Sequence, residues 1–295
     1  MTIMQIKQFL SVLKYGNFSE AAEEMYMSQS SFSKQIKNLE SELGVKLFLR
    51  SNSKISLTPA GEAFKVHAES INGSYNRLIS EMSAYKATPG DVNINIAALP
   101  LLFDYGISDA ICIYQEKSDS VQLNVVETNQ PDILSGLNSG KFDFAIARLD
   151  YLSADEYDIL PLIYDSYALV CPKSWVDSLE GKAISFDMLN KTPIILLGKD
   201  SDVYKRCMEM FLSHYFTPKK ILTASRHTHF LQLVDSGCGI GIIPQGLVNL
   251  RLFPQLAIFP SPIPMETQIG LVKAKGQKLS APARELYDTI VHFFA

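Results

Sequence analysis

Apolar residues recur at helical spacing in three short segments at the start of the chain. The first segment begins with Thr2 and Gln5, which stand three positions apart as in a capping box, and Gly16 ends it. Ser19 is a suitable N-cap for the second segment, and Ser28 is a suitable N-cap for the third. The pattern therefore predicts a compact unit of three helices separated by tight turns.

The third predicted helix has one apolar stripe, made by Phe32, Ile36, Leu39 and Leu43. When this stripe faces the core, small polar and basic side chains point outward. Such side chains are suited to reading base edges in the major groove of DNA, although an ordinary solvated helix face has the same composition. The outward residues are Gln29, Ser30, Ser33, Lys34 and Lys37.

Two short strand-like runs follow the third helix and predict a hairpin. They are Leu47–Arg50 and Ile55–Leu57, on either side of the turn-forming residues Ser51–Lys54. A hairpin at this place is the wing of a winged helix-turn-helix. Arg50 and Lys54 are then placed to contact DNA phosphates.

A long amphipathic helix is predicted next, with Thr58 as its N-cap and Pro59 in its first turn. Its apolar positions alternate between spacings of four and three, which is the pattern of a coiled-coil seam. Such a narrow stripe favours pairing with a second copy of the chain, with packing onto the chain's own C-terminal domain as the alternative. The seam residues are Phe64, Ala68, Ile71, Tyr75, Leu78, Met82 and Tyr85.

After Pro89-Gly90 the pattern changes to alternating strands and helices, which predicts an α/β fold with a largely parallel sheet. Two sets of strands are expected to form two lobes. The last strand and the helix from Ala281 are expected to return to the first lobe. The predicted strands are 92–97, 121–126, 142–147, 167–170, 193–197, 221–223, 239–243 and 267–272.

Composition and charge agree with a cytoplasmic protein that has no membrane-spanning segment. The chain has 295 residues, of which 47% are hydrophobic and 20% charged, and its four cysteines form no CxxC pair. The formal net charge is −4, but residues 1–58 hold seven basic against five acidic side chains. Positive charge at the front of an acidic chain is consistent with DNA binding by the N-terminal unit alone.

The residues of the N-terminal unit resemble those of the LysR-type transcriptional regulators. The resemblance extends without gaps from Phe18 to Gly61, and departs from the family at Ser30, where proline is common, and at Lys34, where arginine is commoner. It implies a dimer or tetramer that binds an inverted-repeat operator, with Gln29 and Lys34 in the major groove. It also implies that the C-terminal part is a two-lobed sensor domain, similar to periplasmic binding proteins, that takes a small-molecule effector.

Ligands of α/β sheets bind beyond the carboxyl ends of the strands, so the residues that follow the predicted strands are candidates for effector binding. Helix starts and basic side chains there favour an anionic group. The family commonly has a hydroxyl residue near Leu99–Leu101, and its absence here indicates a more apolar ligand. The candidates are Leu99, Pro100, Leu101, Thr128, Asn129, Arg148, Lys199, Ser201, Arg226, His227 and Thr228.

The sequence therefore predicts a DNA-binding domain at 1–58, a dimerisation helix at 59–88 and an effector-binding domain at 91–295. Lobe I would comprise about 91–161 and 266–295, and lobe II about 162–265. No nucleophile–base pair, metal-ligand spacing or cofactor motif is evident. A transport protein, an α/β enzyme with a DNA-binding module and an architectural DNA-binding protein are the competing interpretations.

Overall fold

In the computed structural model the chain divides into two units, which are described separately. The first is formed by Met1–Thr88 with Ser135–Lys141, and the second by Pro89–Leu134 with Phe142–Ala295. Tyr85 lies outside the described residues, as do the side chains of Arg50 and Lys54. The structure describes residues 1–51, 54–83, 92–118, 121–176, 186–261 and 263–295.

The first unit begins with three helices, α1 (Ile3–Tyr15), α2 (Phe18–Glu24) and α3 (Gln29–Leu43). The predicted capping box at the start of α1 is confirmed, because Thr2 and Gln5 bond each other's backbone N–H groups. Ser28 caps α3 as predicted, accepting from the Ser31 N–H at 3.3 Å. These local signals place the helices because each satisfies N–H groups that a helix end leaves unpaired.

Two predictions about these helices are wrong in detail. Asn17, not Ser19, caps α2, since its Oδ1 accepts from the Glu20 N–H at 2.7 Å. Leu43 was expected in the buried stripe but is 37% exposed, because α3 ends there and the chain turns away at Gly44 with φ 69°. Glu40 instead lies in the interior of the unit, 4% exposed.

Aromatic rings form the centre of the first unit. The Phe9 ring lies 5.1 Å from that of Phe48 and 4.8 Å from that of Phe64, measured between centroids. Phe18 makes edge contacts with Phe32 and Phe48. Ring pairs of this kind bury large apolar areas and therefore hold the three helices together.

The predicted wing and long helix are both present. Strands β1 (Phe48–Ser51) and β2 (Lys54–Leu57) pair antiparallel, and α4 (Pro59–Ser83) follows. Thr58 joins them, because its hydroxyl donates to the Lys46 carbonyl at 2.6 Å and accepts from the Gly61 N–H at 2.9 Å. The start of α4 is therefore tied to the base of the wing.

The second unit is a mixed α/β structure. Its elements in chain order are β3 (Val92–Ala98), α5 (Ile107–Gln115), β4 (Val121–Glu127), α6 (Gln130–Asn138), β5 (Phe144–Arg148), β6 (Tyr157–Pro172), α7 (Phe186–Lys191), β7 (Ile194–Leu197), α8 (Asp202–Ser213), β8 (Ile221–Ala224), α9 (His227–Asp235), β9 (Ile240–Pro244), β10 (Leu256–Pro260), β11 (Glu266–Ala274) and α10 (Ala281–Phe294). The end of α6 falls among the residues grouped with the first unit.

The strands form two lobes that share β6. In the first lobe β4, β3 and β5 are parallel and β11 joins them antiparallel, which confirms the predicted return of the chain. In the second lobe β7 lies parallel to β8 and β9. The sequence pattern predicted only 167–170 of β6 and missed β10, which pairs antiparallel with the second half of β6.

Among the described residues, no helix combines the length and the apolar character that a membrane span requires.

Candidate functional site

The outer face of α3 is the first candidate site. Phe32, Ile36 and Leu39 are fully buried behind it. Of the predicted DNA-binding residues on this helix, four are exposed and Ser33 is half-buried. The exposed ones are Gln29, Ser30, Lys34 and Lys37. An exposed row of amide, hydroxyl and ammonium groups on a helix whose other face is anchored can approach a DNA groove without disturbing the core.

The first turn of α3 is stiffened by its serines. The Ser28 hydroxyl donates to the Ser31 hydroxyl at 2.9 Å and lies 3.2 Å from that of Ser30. Gln29 lies within this turn, so its backbone is held while its side chain is free to reach outward. The N-terminal turn of a recognition helix is the part that contacts base edges.

Glu40 connects α3 to the wing, a role that sequence reasoning missed. Its carboxylate accepts from the N–H groups of Leu47 at 2.9 Å and Phe48 at 3.3 Å, and pairs with Lys46 at 3.0 Å. Burial alone would raise its pKa, but the hydrogen bonds from Lys46 and the two N–H groups outweigh burial and lower the pKa of Glu40. Its position between Leu39 and Ser41 in the sequence gave no sign of this contact.

The predicted seam on α4 falls into two parts. Phe64 and Ala68 pack inside the first unit. Further along, Ile71, Leu78 and Met82 are 38%, 51% and 47% exposed. Large apolar side chains left in solvent along one helix stripe are typical of a surface that another chain covers.

Tyr75 and a neighbouring face of α4 have partners within the first unit. The Lys7 ammonium lies 4.6 Å from the centroid of the Tyr75 ring. On the neighbouring face, Asn76 donates to the Ser139 carbonyl at 3.1 Å. Among the seam residues that the structure describes, the exposed ones are therefore Ile71, Leu78 and Met82.

The second candidate site is a cavity of about 450 Å³ in the second unit, between its two lobes. It lies at the carboxyl ends of strands from both lobes, where α6, α8 and α9 begin. Most of the predicted effector-binding residues line it, but Lys199 and Thr228 are not among the lining residues. The predicted residues that line it are Leu99, Pro100, Leu101, Thr128, Asn129, Arg148, Ser201, Arg226 and His227.

Arg148 forms the basic floor of the cavity. It is the last residue of β5 and is only 3% exposed. The Gln130 side chain holds its backbone, donating to the Arg148 carbonyl at 2.7 Å and accepting from its N–H at 3.3 Å. The guanidinium Nη1 donates to Thr267 Oγ1 at 3.0 Å.

Contacts between the lobes border the cavity. His227 Nε2 lies 3.1 Å from Asp104 Oδ2, so the start of α9 meets the loop after β3. The Tyr105 hydroxyl donates to Asp165 Oδ2 at 2.5 Å, and the Gly246 N–H donates to the same oxygen at 3.0 Å. Burial is the main cause that raises the pKa of Tyr105, and the Asp165 charge raises it further. The Arg148 charge acts in the opposite direction.

Sequence reasoning missed several lining residues. Leu197, Val203 and Leu247 add to the apolar wall, while Glu127 and Asp202 add carboxylates. Asp202 directly follows the predicted Ser201, where it is the first residue of α8. Its place beside a predicted helix start was the one available signal, whereas Leu247 comes from a segment that no strand pattern indicated.

Family models match both parts of the chain. Residues 3–62 match a bacterial regulatory helix-turn-helix protein, lysR family, and residues 92–295 match a LysR substrate binding domain. The probable HTH-type transcriptional regulator LrrA of Synechococcus elongatus is 26% identical over 274 residues, which is 92% of this chain and 90% of that protein. The regulator CfxR of Cupriavidus necator is 26% identical over 261 residues, covering 85% of this chain and 78% of that protein.

Solved structures share the fold along the whole chain. A full-length OxyR variant from Pseudomonas aeruginosa superposes with a TM-score of 0.65 at 22% identity, covering 98% of this chain and 94% of that one. Full-length CbnR complexed with its target DNA gives a TM-score of 0.63 at 20% identity, with all of both chains covered. The substrate-binding model alone spans more than half of the chain. The chain therefore belongs to the LysR family of DNA-binding transcriptional regulators, with an N-terminal helix-turn-helix and a C-terminal effector-binding domain.

Proposed function

We propose that α3 enters the major groove of an operator and reads bases through Gln29, Ser30 and Lys34. Ser33 and Lys37 would lie beside them, and Arg50 and Lys54 of the wing would contact phosphates. The observation that carries this proposal is the exposed polar face of α3 in front of the fully buried Phe32, Ile36 and Leu39. Glutamine can pair with adenine through two hydrogen bonds, and lysine can reach guanine or a phosphate.

The DNA-binding species in this proposal is a homodimer, or a tetramer built from two dimers. The exposed apolar side chains of Ile71, Leu78 and Met82 support pairing through α4. Two-fold symmetry would then direct the protein to inverted repeats, with half-sites about 34–36 Å apart or a multiple of that distance.

A small-molecule effector would occupy the cavity between the lobes and act by binding rather than through catalysis. An effector changes the arrangement of the protein only by binding one arrangement more tightly than another. The His227–Asp104 contact between the lobes supports this proposal, because a ligand that separates or tightens the lobes changes it. The protein would work in the cytoplasm, on the cell's own DNA.

The experiment that tests the DNA proposal measures binding of the full chain to the DNA upstream of its own gene, with random DNA of equal length as control. Affinity is measured over a series of salt concentrations, and the bound site is mapped by footprinting. We expect tight binding to an inverted repeat, weakening as salt rises because lysines release counterions from phosphates. Equal affinity for both fragments, with no footprint, would contradict operator recognition at this site.

A further inference from the structure

The cavity contains a buried cation, the Arg148 guanidinium, that has no carboxylate paired with it among the described residues. The Arg148 guanidinium is buried, and its Nη1 donates to the neutral hydroxyl of Thr267. Within the described parts of the chain it forms no ion pair. A guanidinium has five N–H donors, and burying it away from a counter-ion is costly.

The groups around the guanidinium leave a place for an anion. Thr267 donates its own proton to Asp150 Oδ2 at 2.5 Å, and Tyr105 donates its proton to Asp165. Both hydroxyls therefore turn lone pairs, not protons, toward Arg148. Arg148 bonds these two hydroxyls, and it forms no ion pair with the Asp150 or Asp165 carboxylate to which each hydroxyl donates. Donors of Arg148 remain for a ligand in the cavity.

The opposite lobe contributes a hydrogen-bond acceptor, a carboxylate oxygen, that has no donor partner among the described residues. Asp202 lines the cavity from the first turn of α8, and its Oδ2 is buried with no hydrogen-bond partner among the described residues. Burial raises the pKa of Asp202, and the Asp150 charge raises it further, while Lys205 and Arg148 act in the opposite direction. A buried acceptor of this kind is stabilised by a ligand N–H or O–H group.

One part of the wall is hydrocarbon, while the exposed Glu127 and Asp200 and several hydroxyl and amide side chains complete the lining. Leu101, Leu197, Val203 and Leu247 are buried residues that line the cavity, and Leu99 lies beside them. The volume of about 450 Å³ is within the range of sites that bind small organic molecules. The cavity thus has a basic end, a buried acceptor and an apolar wall.

We propose that the ligand of this cavity is a small branched organic carboxylate that carries a hydroxyl or amino group. Its carboxylate pairs with Arg148 through parallel N–H···O bonds, and its donor group bonds Asp202 Oδ2. Its hydrocarbon part packs against the leucines. The inference rests on the proposed function only in that this ligand is the effector.

The first test needs no ligand and measures thermal unfolding of full-length protein after exhaustive dialysis. Arg148→Met removes an unpaired buried charge and keeps much of the volume, so Tm is expected to stay unchanged or to rise by about 2–4 °C. A fall of more than about 5 °C would overturn the inference, because it would mean that the fold itself neutralises Arg148.

The second test is calorimetric titration with three probes of one skeleton: α-hydroxyisocaproate, isocaproate and isocaproamide. The hydroxy acid is expected to bind about 5–10-fold more tightly than the plain acid, and the uncharged amide at least about 50-fold more weakly than the plain acid. Arg148→Met should abolish binding of both acids. Asp202→Asn should remove only the advantage of the hydroxy acid. Lys219→Gln changes an exposed cation that does not line the cavity and should alter the binding of neither acid.

Three results overturn the inference: no binding of either acid at millimolar concentration, equal binding of acid and amide, or unchanged binding to Arg148→Met. The same proteins are tested on operator DNA, which keeps the two proposals apart. Normal operator binding without acid binding overturns this inference and leaves the proposed DNA function standing. Acid binding that requires Arg148, in a protein that does not bind the operator, supports this inference and overturns the proposed DNA function.

Discussion

The proposed DNA-binding surface of α3 and the cavity between the lobes are built in opposite ways. The surface comes from one helix, and its polar side chains project into solvent in front of a closed apolar core. The cavity collects residues from Leu99 to Leu247. The guanidinium of its buried Arg148 bonds Thr267, and the Arg148 backbone bonds the Gln130 side chain. Side chains of α3 can be exchanged one by one, whereas those of the cavity depend on one another.

Because of this difference, substitutions in the two regions should affect ligand or DNA binding and folding stability to different degrees. A surface residue that makes no contact within the protein costs little when it is replaced, usually less than about 0.5 kcal/mol of folding free energy. A buried polar residue that pairs backbone groups costs more, because its removal leaves those groups unsatisfied. Variants of α3 and α4 should therefore change DNA binding at constant stability, and variants near Arg148 should change stability as well.

The largest effect is expected from the exposed seam of α4. Replacing Ile71 and Leu78 together with glutamate places charges where two helices would meet, so the protein should sediment as a monomer. Operator affinity should fall by about 100-fold or more, since two linked half-sites become independent. Val66→Glu changes an exposed apolar residue away from the seam. It should change neither the oligomeric state nor the operator affinity. A double variant that remains dimeric would refute pairing through this stripe.

Next in size is the replacement of Gln130 in the cavity. Gln130→Leu keeps the volume but leaves the buried N–H and carbonyl of Arg148 without their side-chain partner. The free energy of unfolding should fall by about 2–4 kcal/mol, measured by denaturant titration. Gln115→Leu, at an exposed position of α5, is the matched control and should change it by less than about 0.5 kcal/mol. Equal stability of the two variants would break the contrast between surface and cavity.

The two regions also differ in how well the sequence predicted them. The caps at Thr2, Ser28 and Thr58 were recognised because a cap and its N–H partner lie three residues apart. Asn17 was passed over for Ser19 because both are good caps and the pattern alone does not choose between them. Periodicity also placed Leu43 inside, since it contains no information on where the helix ends.

The cavity was predictable only as a position in the topology. Strand ends identified Arg148 and Ser201 as candidates because parallel strands bring their carboxyl ends together. The same rule included Lys199, which does not line the cavity, because it does not say where a loop residue points. The partners Thr267 and Asp150 lie 117 positions apart in the sequence, and no local pattern connects them.

Gln29→Ala sharpens the surface side of the comparison. Operator affinity should fall by about 1–3 kcal/mol, and affinity for random DNA should stay the same, because an amide paired with a base contributes only at the correct base. The unfolding free energy should not change, which separates this variant from Gln130→Leu. Asn38→Ala, on the same helix but outside the predicted face, is the control. An equal loss on both DNA fragments would remove Gln29 from base recognition.

The smallest effect is expected from Lys37→Ala. Lys37 is exposed on α3, two turns beyond the serine-rich first turn, so its ammonium is expected to contact a phosphate rather than a base. Affinity should then fall to a similar extent on operator and random DNA, and the slope of log affinity against log salt should decrease by about one unit. Lys34→Ala is the informative partner, because a lysine that reads guanine lowers operator affinity more than random affinity. If Lys37→Ala also loses operator affinity selectively, base recognition extends along two turns of α3, and the boundary between reading and positioning residues lies beyond Lys37.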